Sequence, residues 1–153
     1  MGFNYLRKVP ALFVYGSFSN AIFVVLLTEV HLLLPLYVNN HLKEGADVYA
    51  SAEIYYAFGA MFSGFFIRYI FRKTNPVKAS IFMLFITVLL FWTCTFTLNY
   101  MIFFFFSAAV GITNAGTRIL RITYLFNHIP NNYMGRAGSV FSVLTTAARS
   151  MLI

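Results

Sequence analysis

Polar side chains interrupt this sequence only at long intervals. Apolar runs extend from Pro10 to Val38, Val48 to Phe71, Ala79 to Leu98, Met101 to Phe126 and from about Tyr133 onward. Between them stand short polar breaks at Asn39–Asp47, Arg68–Lys78, Asn99-Tyr100 and Asn127–Asn132. A helix that crosses a bilayer needs ~20 mainly apolar residues, whereas a membrane strand shows only weak alternation. The pattern therefore predicts an all-α integral membrane protein with about five transmembrane helices. Their expected bounds are 10–38, 48–71, 79–98, 101–126 and 134–153, in one bundle over residues 1–153. Pro10 suits a first helical turn, and Asn75-Pro76 ends the second helix before the third. Pro35 removes a backbone hydrogen bond and predicts a kink in the outer part of the first span.

Composition agrees with the pattern. Of 153 residues 60% are hydrophobic and only 10% charged, where soluble domains carry about 25% charged residues. The first run is longer than the core of a signal peptide, so it reads as a retained span. The net charge of +7 is not a nucleic-acid signal, because the bases sit beside the spans. Arg7 and Lys8 precede the first span. The next break holds Lys43 alone, the following one Arg68, Arg72, Lys73 and Lys78, the third no base, and the last is flanked by Arg121 and Arg136. This alternation predicts a cytoplasmic N-terminus in a multi-pass protein of the plasma (inner) membrane, with the lipid bilayer as its first partner.

The informative side chains are polar groups inside apolar runs. Glu29 and His31 are embedded in Phe23–Leu27 and Leu32–Leu34. An ionised group at such depth costs roughly 3 kcal/mol or more unless it faces water or a partner. Two readings are open: a transport or proton-relay site, or a carboxylate and imidazole packed between helices. Two residues apart on a helix, they point in nearly opposite directions. Glu53 lies shallower in the second span, where it could reach the interface or a cavity. Gly59, Ala60, Ser63 and Gly64 form a small-residue face for close helix approach. The third span has no ionisable group besides Cys94, and its threonines can bond their own helix, so it is expected at the lipid-facing periphery. The fourth turns polar at Asn114, Arg118 and Arg121, and the fifth carries Arg149. Arg118 and Arg121 could also snorkel to headgroups. Cys94 is the single cysteine, and His31, His41 and His128 are far apart. No metal site, cofactor or nucleophile–base arrangement is predicted, and an enzyme is not expected.

Two stretches carry a family resemblance. Pro35-Leu-Tyr-Val, a short loop and a glycine-spaced span ending in Arg72-Lys73 resemble spans seven and eight of the major facilitator superfamily. Gly64-Phe-Phe-Ile-Arg-Tyr-Ile-Phe-Arg72-Lys73 is similar to that family's Gly-x-x-x-Asp-Arg-x-Gly-Arg-Arg loop. Arg68 stands where Asp belongs and Phe71 where the second Gly belongs. Pro130-Asn-Asn-Tyr-Met-Gly135-Arg136 resembles the Pro-x4-Gly-Arg junction between spans ten and eleven of exporters. The resemblance implies the C-terminal half of such a transporter, spans seven to eleven of a partial six-helix bundle. It also implies a fragment whose partner is the N-terminal half of the same transporter.

The implied function is secondary active efflux of a small molecule by alternating access, coupled to protons. Glu29, His31, Glu53, Asn114, Arg118 and Arg149 are the candidates for transport and coupling, Glu29 first because it is the deepest acid. Gly64, Arg72, Lys73, Gly135 and Arg136 would serve the cytoplasmic loops and gating. Histidine is the residue type whose charge changes near neutral pH. The alternative is a structural or assembly subunit of the membrane with no transport of its own. A water-lined path past Glu29, Glu53, Asn114 and Arg149 would favour the first reading, and a dry, fully paired core the second.

Overall fold

A computed structural model describes residues 9–96 and 98–152, without the side chains of Glu29, Arg136 and Arg149 among others. No strand occurs among the described residues. The first helical stretch opens as α1 (Pro10–Thr28), loosens into a π-helical turn (Glu29–Leu33), tightens to α2 (Leu34–Tyr37) and loosens again over Val38–Leu42. Then come α3 (Ala46–Ile70), α4 (Pro76–Cys94), α5 (Tyr100–His128) and α6 (Asn131–Leu152). Helices thus stand where all five runs were expected. Three stretches are long and apolar enough to cross a membrane: Leu12–Leu42, Pro76–Cys94 and Tyr100–His128. The helix α3 is diluted by Asp47, Glu53, Arg68 and its tyrosines, and in α6 only Gly138–Ala147 is apolar.

Local chemistry explains the boundaries. Pro35 enters at the first turn of α2, between the two π-helical turns. Proline lacks an N–H and its ring collides with the carbonyl four residues back, and a wider turn relieves both problems. The stretch ends at Lys43, whose backbone is left-handed (φ 56°, ψ 33°) and whose N–H bonds Val38 O. The Asn75 side chain accepts the Val77 N–H at 3.0 Å, with Pro76 in the first turn of α4. Asn99 does the same for Met101 N–H at 2.9 Å before α5. Within α4, the Thr87 and Thr93 hydroxyls donate to Met83 O and Leu90 O of their own helix, and Thr95, just beyond its end, donates to Trp92 O. Large apolar side chains on this helix, among them Ile81, Phe85, Val88 and Trp92, point outward. Such a surface suits lipid and would be a liability in water.

The chain divides into two compact units. One comprises Met1–Thr28 and Arg121–Ile153. Its core is Leu12, Ile129 and Phe141, with Phe13, Tyr124, Leu125 and Val140 packed on it. Gly16 lies so close to the Phe141 ring that a Cβ would collide with it. The other unit is Glu29–Leu120. One cluster there joins Val30, Val38, Ala52, Cys94, Phe103, Phe106 and Val110, and another joins Ile67, Ala79, Met83 and Leu120.

The second unit depends on a backbone-to-backbone approach of α3 and α5. A Cβ on Gly59 would strike the Ala108 carbonyl, and one on Gly111 would strike the Tyr56 carbonyl. Neither obstacle is a side chain that can rotate away. The expected small-residue face is therefore used at Gly59, with buried Ser63 one turn on. At Gly64 a Cβ would meet nothing within 4 Å, so this glycine serves no close approach. Gly59→Ala is expected to destabilise the chain in detergent by about 1–3 kcal/mol, as overpacked sites do. Gly64→Ala should be neutral or stabilising by up to about 1 kcal/mol, since alanine is the better helix former. Denaturant unfolding of the two variants measures the difference.

Candidate functional site

The approach of α3 to α5 places polar side chains side by side within Glu29–Leu120. Glu53 lies on the first third of α3, half-buried. Tyr49, one turn before it, donates its hydroxyl to Glu53 Oε1. From the π-helical turn, His31 brings Nδ1 to 3.7 Å from the same oxygen. That distance is too long for a hydrogen bond and leaves an electrostatic contact that attracts once the imidazole is protonated. The two side chains are 54% and 37% exposed, so in water the pair would contribute little.

One turn beyond Glu53, Tyr56 continues the seam. Its hydroxyl oxygen accepts from Asn114 Nδ2 of α5 at 2.7 Å. Asn114 is 3% exposed, and its Oδ1 has no hydrogen-bond partner among the described residues. Ser107 Oγ is in the same condition, at 3% exposure. Buried polar atoms left unpaired cost about 1–3 kcal/mol each. Ser107, Glu53, Tyr49 and Tyr56 line one narrow cleft with Val30 and Phe103. Thr113 and Thr117 flank Asn114 but return their hydroxyls to Val110 O and Thr113 O of their own helix.

The structure thus brings together three of the predicted residues: His31 and Glu53 in direct contact, and Asn114 through Tyr56. Arg118 lies one turn beyond Asn114 and is exposed. The side chains of Glu29, Arg149 and Arg136 lie outside the described residues. Gly64 is exposed on α3, and Arg72 and Lys73 are exposed in the turn that follows it. Gly135 is exposed in the first turns of α6, where its carbonyl accepts the Ser139 hydroxyl at 3.0 Å. Of the readings left open for Arg121, the structure gives the inward one: it is 6% exposed and donates from Nη1 to Ser19 O at 2.9 Å. That bond turns the guanidinium toward α1, inside the Met1–Thr28 and Arg121–Ile153 unit.

Tyr49, Tyr56 and Ser107 were not singled out from sequence. Tyr49 was legible as the residue four before Glu53, the spacing that lets helical side chains meet. Nothing in the sequence pairs Tyr56 with Asn114 or points to Ser107. Among the described residues, no group of three or more His, Cys, Asp or Glu could hold a metal. Chemically, the arrangement offers a carboxylate with a hydroxyl donor and a neighbouring imidazole, and beside Tyr56 a buried amide oxygen without a partner among the described residues. No protein family, curated protein or solved structure matches the chain.

Tyr56→Phe strands the Asn114 amide and is expected to cost about 1–3 kcal/mol. Tyr56→Phe with Asn114→Leu removes both partners and should recover most of that loss. Unfolding in detergent checks the order, because a double variant no more stable than Tyr56→Phe would show that the bond carries no such weight.

Proposed function

We propose that this chain belongs to a secondary active transporter that moves a small molecule across the membrane by alternating access, coupled to protons. The observation that carries this reading is the Glu53–His31 contact. From the ion pair, binding a proton at Glu53 or releasing one from His31 removes the attraction between two helical stretches, so proton uptake or release changes how closely they approach. Tyr49 orients the Glu53 carboxylate. Asn114 Oδ1 and Ser107 Oγ are buried and without hydrogen-bond partners among the described residues, so in this reading they meet water or substrate only when the helices part.

The π-helical turn that holds His31 is the natural moving part. Such turns are frequent at functional sites, and this one lies immediately before the Pro35 segment. A change of charge on Glu53 would alter how closely that turn approaches α3, which is the differential contact a two-state carrier needs. In this reading α3 and α6 also span the membrane, giving five spans with the N-terminus cytoplasmic. The resemblance to the C-terminal half of the major facilitator superfamily supports an efflux direction. Glu29, Arg118 and Arg149 are then further polar groups of the same half. The cleft lined by Glu53, Tyr49, Tyr56 and Phe103 has room for about 10 Å³, one water, so a substrate would enter only when the helices part, and the carboxylate there favours a cation.

The test is uptake of tetraphenylphosphonium into everted vesicles that contain the complete carrier. Accumulation should follow an imposed pH gradient and collapse with nigericin. Glu53→Gln should lower gradient-driven accumulation at least tenfold while leaving the amount of protein in the membrane unchanged. Glu29→Gln in the same assay reports whether the deeper acid shares the coupling. Accumulation by Glu53→Gln with an unchanged dependence on pH would remove Glu53 from the mechanism.

A further inference from the structure

From Ile54 onward the chain contains no acidic residue. Within that stretch Arg68, Arg72, Lys73 and Lys78 fall at the end of α3, in the turn after it and in the first turn of α4. All four side chains are exposed. The described ion pair of the chain, His31 with Glu53, involves none of them. Four exposed cations therefore stand within eleven residues, with no carboxylate nearby in the sequence to neutralise them.

The turn that carries them is fixed. Phe71 packs on the cluster of Ile67, Ala79, Met83 and Leu120, and its ring lies 6.5 Å from that of Phe82. Thr74 N–H bonds Phe71 O at 3.1 Å and Ala79 N–H bonds Asn75 O at 3.0 Å. Asn75 caps α4 from its side chain. The bases are therefore displayed from a short, internally bonded corner.

Exposed apolar surface adjoins the charge on both sides. Phe66, Tyr69 and Ile70 on α3 and Ile81 and Phe82 on α4 are all more than half exposed, Tyr69 reaching 79%. A soluble acidic partner or nucleic acid would match the charge but leave these rings in water. A phospholipid matches both, with its phosphate against the bases and its acyl chains along the rings.

We propose that this corner is a binding site for anionic phospholipid headgroups, with Arg72, Lys73 and Lys78 as the phosphate-binding side chains and Tyr69 and Phe82 as walls for the chains. The site does not depend on transport: it would hold lipid equally in a carrier or in a structural subunit.

Native mass spectrometry of the purified full chain, released from micelles of equal POPC and POPG, tests the site. POPG should be retained in preference to POPC. Retention should fall about fivefold for each base removed, the change that corresponds to the usual attraction of one surface base to an anionic leaflet. Arg72→Gln/Lys73→Gln/Lys78→Gln should lose the preference, and Lys43→Gln, in another loop, should keep it. Single Lys73→Gln and Lys78→Gln variants carry the same test if the triple variant folds poorly, and Lys73→Arg should retain POPG. Equal retention of POPC and POPG, or unchanged POPG retention after the bases are removed, would overturn the site. Displacement of POPG by millimolar inorganic phosphate would reassign it to a free anion.

Discussion

The polar seam of the Glu29–Leu120 unit rests on the backbone approach of α3 to α5 at Gly59 and Gly111. Two carbonyl oxygens, of Ala108 and Tyr56, occupy the space where side chains would otherwise stand. Only at such separation can the Asn114 amide reach the Tyr56 hydroxyl. Because Tyr56 and Glu53 are neighbours on one helical face, the same contact sets the face on which Glu53 meets His31. Without a hydrophobic force to drive helices together in lipid, close packing and interhelical hydrogen bonds have to supply the association. Here both come from the same few residues.

Apolar periodicity made the helices legible. Expected runs and observed helices agree to within a few residues, and the disagreements have causes. The first stretch continues to Leu42 through a second π-helical turn that no composition rule foretells. The helix α4 starts at Pro76 instead of Ala79 because Asn75 and Pro76 form its cap rather than a loop. Membrane-crossing character is clearer in three stretches than in five. Polar and ionisable side chains in α3 and α6 lower their apolarity, and these are the same side chains that make the helices interesting.

The site was legible only in part. Glu53, His31 and Asn114 announced themselves by polarity in apolar surroundings, but sequence alone could not pair them. It ranked the deeper Glu29 first, and that side chain lies outside the described residues. Pairing depends on which face of α3 meets α5, and that is decided by which glycine lies under a carbonyl. Gly59 and Gly64 look equivalent in the sequence, yet only Gly59 is required. Arg118 and Arg121 likewise look alike as two bases three residues apart. One is exposed, while the other is buried against the Ser19 carbonyl. The difference comes from packing around each helix face and has no local signature.

If Glu53 and His31 act as a unit, a proton bound at one changes the charge that the other faces. Infrared difference spectroscopy of the chain in lipid nanodiscs, recorded across a pH step, observes the carboxyl band directly. A band that disappears in Glu53→Gln and changes its pH dependence in His31→Gln is the predicted result. A Glu53 band whose pH dependence is the same with and without the His31 imidazole would contradict the proposed coupling.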